Sequence, residues 1–196
     1  MKNSYKMLMF TLMTLSLAGC SANIADYSNT TPAFDIKTFF TGEFVANGMV
    51  QDYTNKVTRR FCVELSGTWD NNQGELAEVF YFHDGEISYR TWQLTKLPND
   101  KYSGTAEDVI GTAYGQQNGY AFNWQYTLSV PIDGTTYNLA MDDWMYQLDE
   151  NRVMNKTTMS KFGVDVAEIT LFFDKSSTQT SCLNTAAHSE LAVGSK

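Results

Sequence analysis

Gly119-Tyr120-Ala121-Phe122-Asn123-Trp124-Gln125-Tyr126-Thr127-Leu128-Ser129-Val130 alternates ring or aliphatic side chains with small and polar ones along its whole length. Successive side chains of an extended chain point to opposite faces, so this stretch reads as a long strand with one apolar face, Tyr120 to Val130, and one mostly polar face. Asp133-Gly134 follows, a favoured two-residue hairpin turn because both residues accept positive φ. If Ile132 pairs with Thr135, then Val130 faces Tyr137, Leu128 faces Leu139, Tyr126 faces Met141, Trp124 faces Asp143 and Phe122 faces Met145. All of these pairs except the one holding Asp143 are apolar on both sides, so the register is self-consistent.

Working outward, Asp84-Gly85 reads as a second such turn, setting Phe82 against Ile87 and Phe80 against Tyr89. Further turn signals at 71–74, 98–100, 116–119, 149–152 and Gly163 divide the chain into about nine strands. They are expected near 43–53, 56–67, 75–83, 86–96, 102–108, 119–131, 135–148, 153–162 and 164–174. Only Phe34 to Phe40 has a helical look. Consecutive antiparallel strands of this length leave no exposed edge if they close, so the expected fold class is all-β: a lipocalin-like (calycin-type) antiparallel up-and-down β-barrel of about 8–10 strands. A membrane-spanning barrel fits poorly, because rings fill the middle of one face where such strands carry aliphatic residues.

The 196 residues include 12 Phe, 11 Tyr and 4 Trp but only 3 Cys and 2 His, with a formal net charge of −8. That acidity speaks against a nucleic-acid partner, and the scarcity of Cys and His against a zinc site. No metal-spaced cluster or phosphate-binding glycine loop is visible, and no cofactor is expected. At the N-terminus Lys2 and Lys6 precede an apolar run, Met7 to Leu17, too short to cross a bilayer as a helix. It ends in Leu17-Ala18-Gly19-Cys20, which resembles the lipobox of bacterial lipoproteins. The resemblance implies a signal peptide over 1–19 and lipidation at Cys20. Ser21 after the cysteine implies sorting to the outer membrane, periplasmic face, with the membrane reached through the lipid anchor. Residues 20–33 then read as a flexible tether, 34–175 as the barrel and 176–196 as a loose polar tail. With Cys20 consumed, Cys62 and Cys182 remain, either as a disulfide pinning the tail to the barrel or as two independent thiols.

Several runs together resemble an uncharacterised family of bacterial lipoproteins, a domain of unknown function with a lipocalin-like barrel. They are Asp108 to Gly115 (DVIGTAYG), Gly119 to Tyr126, Asp142 to Tyr146 (DDWMY) and Lys161 to Val164, with Glu78-Val79-Phe80, Asp84-Gly85-Glu86 and Arg90-Thr91-Trp92 also in pattern. The likeness covers roughly residues 32–175, and Tyr120 departs from it where the family usually shows Asn. It implies a connection to envelope lipids, because members are often encoded beside lipid-modifying enzymes, but no established activity.

Among candidate site residues Asp143 is the most informative. The hairpin register puts it on the apolar face among Met141, Met145 and Trp124, where a carboxylate must find a partner or be neutralised. Arg60, Arg90 and Lys161 are the candidate partners. Phe122, Trp124, Tyr126, Met141, Asp143 and Arg90 are therefore the expected lining of a ligand pocket, while the same residues could equally form a packed core. His83 at a hairpin end and His188 in the tail have no evident acid/base partner. The expected function is non-catalytic binding or carriage of a lipid or other small hydrophobic molecule. A packed barrel that meets a protein partner around Trp144 and Tyr146 is the alternative, and an enzyme of lipid modification using Asp143 the third.

Overall fold

In the computed structural model, which describes residues 22–132, 134–179 and 181–184, the alternating segments become ten strands. They are β1 (Gly42–Asp52), β2 (Val57–Asp70), β3 (Gln73–Phe82), β4 (Ile87–Leu97), β5 (Lys101–Thr105), β6 (Val109–Asn118), β7 (Ala121–Ile132), β8 (Thr135–Gln147), β9 (Arg152–Lys161) and β10 (Val164–Asp174). Each pairs antiparallel with its sequence neighbours, and β1 pairs with β10 to close the barrel. The described residues are therefore all-β, a closed ten-strand up-and-down barrel with almost no helix. Closure satisfies the edge groups that an open meander would expose.

The β7–β8 hairpin has the register read from its alternation, from Ile132 opposite Thr135 through Trp124 opposite Asp143 to Phe122 opposite Met145. Gly134 has a φ of 79°, and Asp133 lies outside the described residues. The β3–β4 hairpin differs from expectation by one residue: Tyr81 pairs with Ile87, and Val79 with Tyr89. The turn is longer than two residues because the Phe82 carbonyl accepts from Gly85 and the Phe82 amide donates to Glu86. Gly85 takes the left-handed backbone, φ 89°, that ends such a turn. The one-residue shift exchanges faces: Tyr89 points out and Arg90 points in.

The strand missing from the sequence reading is β6. Beyond Val109, its inward positions Ala113 and Gly115 are too small, and Gln117 too polar, to write an apolar alternation. Gly115 is small because β7 lays its largest rings over it. A Cβ on Gly115 would come within 2.4 Å of Trp124 and 2.6 Å of Phe122. The β6 register also slips between Ile110 and Tyr114, beside Gly111 at φ 75°.

Residues 34–41 close one end of the barrel. Asp35 caps the single helical turn α1 (Ile36–Phe39) by accepting from the Thr38 amide. Phe34, Phe39, Phe40, Phe44 and Phe173 meet edge to face or tilted beneath it, and all are buried. Lys96 pairs with Asp35 at 3.0 Å, and the Lys175 ammonium donates to the Phe39 and Thr41 carbonyls, which ties α1 to the wall. The opposite end is formed by the turns after β1, β3, β5, β7 and β9 and carries exposed Tyr53, Tyr89 and Phe162.

Both flanking segments are more ordered than their small, polar composition suggests. Residues 23–33 are not a free tether. Asn23 and Asp26 form a capping box around a 3-10 turn (Ile24–Tyr27), and the Asn118 amide donates to the Ile24 carbonyl and the Ser28 hydroxyl. Tyr27 packs on Tyr120, Trp144 and Tyr146, with ring centroids 5.4–5.8 Å apart, on the outer wall at the closed end. Tyr120 accordingly leaves the inward stripe and joins this outer cluster. Likewise part of the expected tail is docked. Cys182 is fully buried and bonded to Cys62. Glu64 accepts from the Ser181 hydroxyl, the Cys182 amide and the Tyr81 hydroxyl. The leader 1–19, Cys20 and His188 lie outside the described residues.

Candidate functional site

Above the phenylalanine floor the barrel is hollow. A cavity of about 840 Å³ runs from Ile36 and Phe40 at the closed end to Asp84, Glu86, Tyr89 and Ile132 at the open end. That volume lies within the roughly 300–1,000 Å³ of small-molecule pockets. All six expected lining residues, Phe122, Trp124, Tyr126, Met141, Asp143 and Arg90, border it, from three different strands. The rings above the floor sit edge to face: Trp92 to Trp124 at 5.6 Å and Trp92 to Tyr126 at 5.3 Å. Phe122 and Trp124 are stacked and almost wholly buried, so the aromatic stripe serves as packed base at Phe122 and as cavity wall at Tyr126.

A polar belt interrupts this wall at mid-height. Asp143 is 6% exposed, and its partners are not the cations read from the sequence. Asn155 donates its amide to Asp143, and Thr157 adds a hydroxyl contact; both stand on β9, beside Asp143 in the sheet. Arg60 faces out of the barrel, and Lys161 lies over the rings of Tyr137 and Phe162. Of the three, only Arg90 shares the interior with Asp143, and it is already engaged. Its Nε and Nη2 donate to both Asp108 carboxylate oxygens at 2.7–3.0 Å, and its Nη1 lies 3.7 Å from Glu78.

Burial governs the charges here. It pushes the Asp143 carboxyl up to about 7, against the opposing pull of Asn155 and Thr157 and the distant Arg90, and Glu78 adds to the rise. Glu78 is also raised to about 7, by burial, which the Arg90 guanidinium counters only in part. Burial raises the Tyr126 hydroxyl as well, with Asp143 adding to it, so it stays protonated. One oxygen of Glu78 has no hydrogen-bond partner among the described residues. Asp142, one position from Asp143, faces outward and accepts from Asn123, Gln125 and the Trp144 indole.

Residues 14–175 match the family described as "Protein of unknown function (DUF3833)". The chain belongs to the DUF3833 family. No curated protein matches it. Within this DUF3833 chain the site consists of a greasy cavity with one polar belt. Glu78 and Asp108, both in the belt, were legible only as parts of the family's patterns. Asn155 and Thr157 sit in an alternating strand read for its turn boundaries rather than for its inward polar positions. Glu78 could have been found from its spacing, since Leu76, Glu78, Phe80 and Phe82 share one face of β3. The outer surface at Trp144 and Tyr146, the expected contact for a protein partner, is partly covered by Tyr27 of the same DUF3833 chain.

Proposed function

We propose that the protein is a lipocalin-like lipoprotein that binds or carries a lipid or other small hydrophobic molecule in its barrel and performs no covalent chemistry. The observation that carries this reading is the cavity itself. Rings, Met141, Leu128, Ile169 and Leu171 surround about 840 Å³ of space that this fold could have filled with larger side chains. An empty apolar hole of that size costs stability, so its retention is best accounted for by an occupant. The anchor in this reading is a lipid on Cys20, at the periplasmic face of the outer membrane, and it rests on Leu17-Ala18-Gly19-Cys20 and Ser21. A packed barrel recruited as an assembly protein is less well supported, because the interior is hollow and its named contact surface is partly covered by Tyr27.

The test is extraction and mass spectrometry of the full chain bearing Cys20→Ala, purified from the soluble fraction without detergent. An apolar molecule at a near-stoichiometric ratio is expected, and so is uptake of a hydrophobic dye after delipidation. A barrel that is empty as isolated and takes up no dye overturns the reading.

A further inference from the structure

The cavity's charge identifies the end of the ligand that enters first. Two cations border it, Arg59 and Arg90, against the five carboxylates of Glu78, Asp84, Glu86, Asp108 and Asp143. Neither cation is free to receive an anion. Arg59, at the mouth, is held at 2.9 Å by both Asp84 and Glu86 and lies 3.5 Å over the Phe82 ring. Arg90, in the belt, is clasped by both oxygens of Asp108. A carboxylate or phosphate entering the barrel would therefore meet surplus negative charge, and both cations bordering the cavity are already ion-paired. It would also lose its water, and that loss would not be made good.

The same belt is short of positive charge. Glu78 lines the cavity with one cation near it, the Arg90 Nη1 3.7 Å from its Oε2, and Asp143 meets only a neutral amide and a hydroxyl. A carboxylate can accept about four hydrogen bonds, so the acceptor capacity of neither group is filled. Beside them stand Trp92, Trp124 and Tyr126, set edge to face and lining the same cavity. Carboxylates together with aromatic faces are the combination that holds an ammonium group, by charge and by cation–π attraction.

We propose that the barrel's ligand is an amphiphile with a cationic ammonium head, seated between Asp143 and Glu78 against Trp92 and Tyr126, with its apolar chain in the rest of the cavity. This rests on the reading of the cavity as a binding site for a hydrophobic molecule, and it assigns that molecule's head group.

The experiment compares three twelve-carbon probes that differ only in the head: dodecylamine, dodecanol and dodecanoate. Each is titrated below its micelle concentration at pH 7.5 into the full chain bearing Cys20→Ala, after delipidation, with indole fluorescence from Trp92 and Trp124 as the signal. Dodecylamine is expected to bind at least tenfold more tightly than dodecanoate, with dodecanol between them. In Glu78→Gln and in Asp143→Asn the preference for the amine over the acid should fall at least threefold, in chains whose circular dichroism is unchanged. If either variant fails to fold, the ranking in the unsubstituted barrel decides alone. Dodecanoate binding as tightly as dodecylamine overturns the head-group assignment and leaves the hydrophobic cavity standing. Dodecanol equalling dodecylamine overturns it too, because the charge would then contribute nothing. Failure of all three to bind removes the cavity reading along with it.

Discussion

Asp143 owes its position to a two-residue period and nothing else. Once Trp124 faces inward, its partner across the hairpin must as well, and a carboxylate is carried into the barrel. That much was legible from residues 120–146. Its partners were not, because Asn155 and Thr157 lie on the next strand, and only the β8–β9 register brings them within reach. The side chain is nearly inaccessible, and burial lifts its carboxyl from the usual 3.8 to about 7. Between those values the folded chain holds a proton that the unfolded chain has released, so this group's contribution to stability falls as pH rises from about 4 to about 7. Asp143→Asn removes that dependence. The variant should match the parent near pH 4 and exceed it by roughly 4 kcal/mol at pH 8, since each tenfold difference in proton affinity is worth about 1.4 kcal/mol. Urea unfolding at the two pH values checks this, and equal differences at both would show that Asp143 is not protonated in the fold.

At the scale of strands and turns, legibility followed side-chain size. β7 and β8 carry large apolar residues at every second position and were read with their register intact. β6 is illegible because beyond Val109 its inward residues are Ala113, Gly115 and Gln117, with Gly115 kept small by rings that belong to β7. The β3–β4 register was off by one because Asp84-Gly85 suits two turn lengths, and only the hydrogen bonds around Phe82 choose between them. That single step decides whether Arg90 belongs to the site. Glycine at a close approach also fixes how α1 sits on the barrel. A Cβ on Gly67 would stand 1.6 Å from the Phe40 carbonyl oxygen, a backbone atom that cannot swing aside. Gly67→Ala should therefore lower stability by roughly 3 kcal/mol, the upper end of the cost of overpacking. Its urea midpoint against the parent's is the measurement, and a change below about 1 kcal/mol would mean that α1 is free to shift.

Across the whole molecule, the disulfide joins β2 to a segment beyond β10 and spans 120 residues, nearly the full barrel. Closing so long a loop restricts the unfolded chain more than the folded one, worth about 5 kcal/mol in the chain-entropy account, of which native-state strain and residual unfolded structure take back a part. Cys182→Ser should lower stability by roughly 3–4 kcal/mol in urea while leaving the cavity and its ligand affinity unchanged, because Cys62 faces away from the interior. A loss of affinity equal to the loss of stability would show instead that the docked segment supports the cavity wall. This pairing was one of two open readings of the cysteines, and composition could not choose between them. Only the backbone brings residue 182 beside residue 62.

The Asn23–Asp26 capping box and the Tyr27 ring fasten the start of the described chain to the closed end of the barrel. Cys20 is three residues upstream of Asn23, a reach of at most about 10 Å. The strands, tilted as barrel strands are, stand roughly 25–30 Å tall. A lipid on Cys20 would thus hold the protein as a short-stemmed cup, base toward the bilayer and brim pointing away. Cargo could then not slide in sideways from the leaflet that anchors it; it would have to arrive from the aqueous side, past Tyr53, Tyr89 and Phe162.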